Sequence, residues 1–205
     1  MPKVPAETRR RILESGYTLL YRKGFNRVGV DEIARAAHVT KRTLYYHFRS
    51  KDELFGSVLQ RQHEFALAQV RTWAEGLSGG AEEVLDSLFN DLAKWAATPR
   101  YSGAGFTRVA MELADLPGHP ARAVARRHKA AIERLLSDVF AKAGVESPPE
   151  RARDVALLME GAMALMLVHG DPAYAMAAAA AAKRLVARPQ DKRPSRPRKR
   201  TPVPA

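Results

Sequence analysis

Residues 29–48 read Gly-Val-Asp-Glu-Ile-Ala-Arg-Ala-Ala-His-Val-Thr-Lys-Arg-Thr-Leu-Tyr-Tyr-His-Phe, and their spacing predicts two short helices joined by a three-residue turn. In the first, Val30 to Ala37, the apolar residues Val30, Ile33, Ala34 and Ala37 fall on one face. Thr40 is placed to cap the second, Lys41 to about His47, because its oxygen can accept an amide that the helix start leaves without a partner. Ile33, Ala34, Val39, Leu44 and Phe48 can then form a small core, which leaves Lys41, Arg42, Thr43, Tyr46 and His47 on the outer side. This is a helix-turn-helix pattern. A DNA major groove roughly 12 Å wide accepts one such helix, read from its N-terminal residues.

Working outward, the same period-3.6 signal covers almost the whole chain. Upstream, Ile12, Leu13, Gly16, Leu19 and Leu20 mark a first helix ending at Lys23-Gly24, glycine suiting the left-handed residue past a helix end. Downstream, Ser50-Lys51-Asp52-Glu53 is a capping box. It opens a long helix carrying Leu54, Phe55, Val58, Leu59, Phe65, Ala66, Val70, Trp73 and Leu77, which Gly79-Gly80 breaks. A fifth helix is expected from about Ala81 to Ala97, then a loop from Tyr101 to Gly105 and a helix from Phe106 to Ala114. Pro120 is well placed as the first residue of a helix reaching Ala143, with Gly144 ending it. Ser147-Pro148-Pro149-Glu150 reads as a second capping box, and Gly170-Asp171-Pro172 closes one helix and opens the last. No stretch sustains the period-2 alternation of a strand. The fold class is all-α.

Charge divides the chain in the same places. The net charge is +12, but residues 1–50 hold eleven Lys/Arg against four Asp/Glu and residues 188–205 hold seven against one. The middle, 51–187, is close to neutral. Basic residues grouped at the ends are the footprint of phosphate binding, although many solvated surfaces are basic for no such reason. The tail from Arg188 is rich in proline and charge and nearly free of apolar residues, which predicts disorder. The expected domains are therefore 1–50, a DNA-binding unit; 51–187, the helical body; and 188–205, the basic tail.

The run from Asp31-Glu32-Ile33-Ala34 through Val39-Thr40-Lys41-Arg42-Thr43-Leu44-Tyr45-Tyr46-His47-Phe48, followed by Ser50-Lys51-Asp52-Glu53-Leu54, resembles the TetR family of bacterial one-component regulators. The resemblance covers about residues 8–56. It implies a chain of nine or ten helices, three of them binding DNA and the rest forming a larger ligand-binding and dimerising body. It also implies that Thr40, Lys41, Arg42, Thr43, Tyr45, Tyr46 and His47 lie at or near the groove. Lys51 would meet a phosphate at the start of the fourth helix. Two positions depart from the pattern: Gly29 stands where a serine or threonine commonly caps the second helix, and His38 where glycine is usual in the turn. His38 is expected to adopt a left-handed conformation.

Each candidate has a plainer reading beside it. Of the adjacent Tyr45 and Tyr46, one is expected to pack or stack against the domain and the other to place its hydroxyl on a phosphate. His47 either donates to a phosphate or supports the helix end, Arg42 is the best base-reading candidate, and Lys41 suits base or phosphate equally. Arg9, Arg10 and Arg11 either approach the DNA backbone or form a solvated basic face, and the tail either adds non-specific DNA binding or aids solubility. The Ala177–Ala182 run and the apolar stretch Ala156–Val168 suggest that the last two helices, about 150–187, press against a second subunit; a purely intramolecular core is the alternative. Met111 and Met163 are candidate ligand-pocket residues, as are Arg108 and Glu160, although the methionines also suit an ordinary core. Glu160, set inside an apolar run, needs a ligand or a partner such as Arg108 or Arg126.

Other function classes find little in the sequence. There is no cysteine, no phosphate-cradling glycine loop, no Gly-x-Ser-x-Gly elbow and no His-Glu-x-x-His. Neither an enzyme nor a metal site is expected, and no cofactor. No apolar run approaches the ~20 residues of a membrane span and no secretory signal is visible, so a cytoplasmic location is expected. An architectural DNA-binding role would leave the large neutral body without a purpose. The expected function is a ligand-responsive regulator, a repressor, that binds a palindromic operator as a homodimer and is released by a largely apolar small molecule.

Overall fold

Ile12, Ile33 and Leu44 are fully buried in a common core, and the first three helices assemble around them. In the computed structural model, which describes residues 5–75, 80–99 and 101–187, nine helices are present among the described residues and no strand. They are α1 (Pro5–Lys23), α2 (Val30–Ala36), α3 (Lys41–His47), α4 (Lys51–Glu75), α5 (Ala81–Ala96), α6 (Gly105–Glu112), α7 (Pro120–Lys142), α8 (Pro148–His169) and α9 (Ala173–Val186). The expected tail at 188–205, the Leu77 and Gly79 positions, and the side chain of Trp73 lie outside the described residues.

The boundaries follow from the local chemistry, with one correction. Gly24 takes a φ of +87 just past α1, Gly144 a φ of +70 past α7 and Gly170 a φ of +67 past α8. Ser50 Oγ accepts the Glu53 amide at 3.0 Å, while the Glu53 carboxylate reaches back to the Arg49 amide at 2.8 Å. At α7, Pro120 fills the first turn and the His119 ring accepts the Ala121 amide at 3.1 Å. The second expected capping box does not form: Ser147 has a φ of 51 and its side chain caps nothing. An N-cap takes extended backbone, and in its left-handed conformation Ser147 instead offers its carbonyl to the Glu150 and Arg151 amides.

Two cores stack along the molecule. The front core joins α1, α2 and α3 to the first turns of α4 (Leu54, Phe55, Val58), to Val109 of α6 and Leu113 at its C-cap, and to Ala121, Val124 and Ala125 of α7. Gly16 lets α1 and α4 approach closely, since a Cβ there would stand 2.9 Å from Val58 Cγ2. The rear core gathers Leu85 and Phe89 of α5, Leu136 and Phe140 of α7, Val155 and Met166 of α8, and the alanines of α9. Each fully buried Leu, Ile or Phe contributes on the order of 1.5–3 kcal/mol relative to exposure. Helix α4 runs along α7, α7 along α8, and α9 along both α5 and α8.

The alanine run explains how α9 sits so close. Ala175, Ala178, Ala179 and Ala182 recur on one face and are buried against the rear core. The opposite face, with Met176 and Leu185, is exposed. On α8 the residues Leu157, Gly161, Ala164, Leu165 and Val168 follow helical spacing and form an exposed apolar stripe. No helix among the described residues is long and apolar enough to cross a membrane.

Candidate functional site

Helix α3 is held by what it buries and displays the rest. Leu44 and Phe48 are sunk in the front core. The turn before α3 is closed by the Val39 amide donating to Ala34 O at 2.9 Å, with His38 in the left-handed region at φ 52. Thr40 Oγ1 accepts the Thr43 amide at 3.0 Å and lies 2.8 Å from the Thr43 hydroxyl, a cap worth ~1 kcal/mol. Gly29 starts α2 with no side-chain cap.

Lys41, Arg42, Tyr45 and Tyr46 all point outward, Tyr46 with 81% of its surface exposed. The expectation that one tyrosine packs is corrected, since Tyr45 is also exposed, at 42%. Positions 45 and 46 both lie off the Leu44–Phe48 stripe, so neither is drawn into the core. Lys41 pairs with Asp31 of α2 at 3.0 Å, an exposed contact of little energetic weight. Arg42 makes no ion pair among the described residues. His47 is half-buried, its ring edge-on to Tyr46 with centroids 5.3 Å apart. The Lys51 ammonium lies over the Phe55 ring at 5.1 Å, in the first turn of α4. Of the α1 arginines, Arg10 is engaged by Glu7 and Glu14, whereas Arg9 lies over the Phe48 ring at 5.0 Å.

Behind this unit lies a cavity of about 730 Å³, within the size range of small-molecule sites. Helix α1 supplies Tyr17, Leu20 and Tyr21; α4 supplies Leu59, Gln62 and Ala66; and Trp95, Phe106, His128, Ile132 and Met163 continue the wall. Among the sequence candidates, Arg108, Glu160 and Met163 line it. Met111 does not: it lies on the outer face of α6 with 72% of its surface exposed, one turn-third away from the face that Thr107 and Arg108 turn inward. Glu160 pairs with Lys129 and accepts the Thr107 hydroxyl at 2.5 Å, rather than meeting Arg108 or Arg126.

Arg108 is committed elsewhere. It donates to Leu20 O at 3.0 Å, to Tyr21 O at 2.5 Å, and to the Ser102 hydroxyl. One turn further along α6, Glu112 accepts the Phe25 amide at 2.6 Å and the Asn26 amide at 3.2 Å. Helix α6 therefore touches the cavity with one face and holds the end of α1 with another.

Across the cavity wall, His63 Nδ1 of α4 meets His128 Nδ1 of α7 at 3.1 Å, and the His128 ring stacks on Phe106 at 3.7 Å. Burial, with the nearby Lys129 and His63, holds the His128 pKa down to about 3, so the ring is neutral. The Tyr101 hydroxyl donates to Met163 O at 2.5 Å, and burial raises its pKa to about 12.

Several cavity residues escape a reading by motif. Tyr17 and Tyr21 are an i, i+4 pair that stack at 5.7 Å; their spacing alone signals a shared aromatic face. His63 and His128 are 65 positions apart, so no local pattern joins them. Among the described residues no group of three or more His, Asp or Glu is placed to hold a metal ion.

The family model described as bacterial regulatory proteins, tetR family, matches residues 12–58, which span α1 to the start of α4. The chain is 34% identical over 98 residues to a probable HTH-type transcriptional regulator ArpR of Pseudomonas putida, covering 46% of this chain and 47% of that protein. It is 30% identical over 114 residues to the HTH-type transcriptional repressor NemR of Escherichia coli, covering 54% and 56%. The chain thus matches about half the length of these curated relatives. Among solved structures, a TetR-family transcriptional regulator from Streptomyces coelicolor aligns with a TM-score of 0.77 at 26% identity, over 88% of this chain and 95% of that one.

Proposed function

Since the chain belongs to the TetR family of transcriptional regulators, we propose that it is a ligand-responsive repressor that binds a palindromic operator as a homodimer and leaves it when a small molecule enters the cavity. The observation that carries this reading is α3, whose Leu44 and Phe48 are buried while Lys41, Arg42, Tyr45 and Tyr46 face outward. Arg42 is assigned to base edges; Lys41, Thr43, Tyr45, Tyr46 and His47 to bases or phosphates; and Lys51 to a phosphate at the α4 N-terminus, with Thr40 holding the helix start. Residues 1–50 read DNA, and 51–187 bind the effector and dimerise. The protein works in the cytoplasm, and no catalysis is part of the proposal.

Two copies are needed to place two α3 helices on half-sites about one or a few helical turns of DNA apart. The exposed apolar stripe on α8 supports α8 and α9 as the shared face, with Gly161 and Ala164 small enough for close helix approach. Apart from its chain neighbours and the adjoining backbone of α8, no atom of the described residues lies within 4 Å of a Cβ built at Gly161.

Release requires the ligand to bind the DNA-free arrangement more tightly than the DNA-bound one. Tyr17 and Tyr21 of α1, Leu59 of α4 and Arg108 of α6 all border the cavity. A ligand that spreads these walls changes the angle at which α1 and α4 carry α3.

Selection of bound fragments from the source genome, followed by gel shifts, tests the reading. A dimer retarding an inverted repeat, with affinity falling steeply as salt rises, is expected. A protein that stays monomeric and ignores duplex DNA at low ionic strength overturns it.

A further inference from the structure

Lys41 is the first residue of α3, and the N-terminal end of a recognition helix is the end that meets base edges. Its ammonium lies 3.0 Å from one Asp31 oxygen and 3.1 Å from the other, and both side chains are more than half exposed. Asp31 stands in the first turn of α2, so a carboxylate from one helix sits beside the reading end of the next. The other acids of residues 5–50 engage cations of α1: Glu7 and Glu14 hold Arg10, and Glu32 pairs with Lys23 at 2.5 Å.

An exposed pair of this kind adds little to the stability of the fold. Against DNA the carboxylate weighs more. It has no hydrogen to give and phosphate oxygens only accept, so the backbone repels it. What it can take from a duplex is a hydrogen of a base amino group, in the major groove cytosine N4 or adenine N6. Adenine N6 lies between two acceptors, its own N7 and thymine O4, which repel a carboxylate. Cytosine N4 lies beside guanine O6 across the pair, an acceptor that suits an ammonium. A donor and an acceptor held side by side therefore match one G·C pair.

Resting on the assignment of α3 to the major groove, we infer that Asp31 is a specificity-determining residue that reads one G·C pair in each half-site together with Lys41. The Lys41 ammonium donates to guanine and the Asp31 carboxylate accepts from the cytosine amino group. Where no cytosine amino group is in reach, the carboxylate repels the backbone and keeps Lys41 from the phosphates, so it weakens binding to wrong sequences.

Selection from a library of randomised duplexes with the full-length chain gives the base preference at each position, and titration of one random duplex gives the non-specific affinity. In Asp31→Ala, discrimination at one G·C position of each half-site should fall about tenfold. The same variant should bind the random duplex more tightly, with a salt slope steeper by about 1, because Lys41 is then free for a phosphate. Lys41→Ala should lose preference at the same position and weaken the random duplex, and adding Asp31→Ala to it should win back part of that binding. Thermal midpoints should stay unchanged. Unaltered base preferences in Asp31→Ala, weaker binding of random DNA by that variant, or loss of preference at different positions by the two substitutions overturns the inference. A wild-type chain that selects no sequence brings down the groove assignment and this inference with it. If the wild type selects an operator and Asp31→Ala selects it equally well, the operator reading stands and the role of Asp31 alone fails.

Discussion

Arg108 of α6 donates to the backbone oxygen of Tyr21 at 2.5 Å, tying the cavity wall to the last turn of α1. The carbonyls at a helix end lack partners within the helix and carry the negative end of its dipole. Arg108 adds a charged donor to two carbonyls there, Leu20 O, which also takes the Gly24 amide at 2.8 Å, and Tyr21 O, which also takes the Ser102 hydroxyl at 3.1 Å; Glu112 satisfies the amides that follow. Bonds to a charged group in a part-buried setting are each worth ~1.5–3 kcal/mol.

Arg108→Ala should therefore lower the free energy of unfolding by about 1–2 kcal/mol, since it removes a charged donor from two part-buried carbonyls that keep only the Gly24 amide and the Ser102 hydroxyl. Arg108→Lys should recover less than half of that loss, because an ammonium cannot fork across two carbonyls. Urea unfolding of the three proteins measures both; full recovery by lysine would show that charge alone is at work.

On the DNA side, Arg42→Ala should cost about 1–3 kcal/mol of operator affinity and relax the preference at one base position. Lys51→Ala should weaken operator and random DNA alike and reduce the salt slope by about 1. Gel shifts at several salt concentrations separate the two, and a uniform loss for Arg42→Ala would move it to the phosphate backbone.

The histidine pair makes stability depend on pH. His128 is held at about 3 in the folded protein against 6.5 for a free side chain, and His63 is shifted the same way. Between those values the unfolded chain binds more protons, so the stability is complete above pH 6.5 and drains as pH falls toward 3. His128→Gln should start from a lower stability, having lost the Phe106 stack, and decline less steeply through this window. Parallel acid limbs for the two proteins in denaturant titrations would remove His128 from the account.

The α8 stripe predicts the assembly. Ala164→Glu places a carboxylate in the middle of Leu157, Gly161, Leu165 and Val168, all exposed within the single chain. The monomer should fold normally, sediment as a single subunit, and lose specific DNA binding while keeping weak salt-sensitive binding. A dimer that survives the substitution would direct the search to another face.

Much of this architecture can be read from the chain because local chemistry decides it. The Gly24, Gly144 and Gly170 stops, the Thr40 and Ser50 caps and the Leu44–Phe48 spacing each act within one or two helical turns. Ser147 misleads because a cap needs extended backbone, and its spacing from Glu150 does not reveal that it is left-handed. The cavity is less legible. Tyr21, Phe106 and His128 converge from three helices, and Glu160 finds Lys129 only because α7 and α8 lie side by side. Met111 shows the limit of the residue type as a signal: a flexible apolar side chain on the same short helix as Thr107 and Arg108 faces the other way.

Helix α7 enters the front core with Ala121, Val124 and Ala125 and the rear core with Leu136 and Phe140. A transplant of the DNA-reading module onto a foreign sensor therefore has no clean suture at residue 50. Phe25 and Phe55, edge to face at 4.7 Å, sit on opposite sides of that cut. A hybrid would inherit compatible surfaces only by carrying α6 and the opening turns of α4 and α7 along with the first three helices.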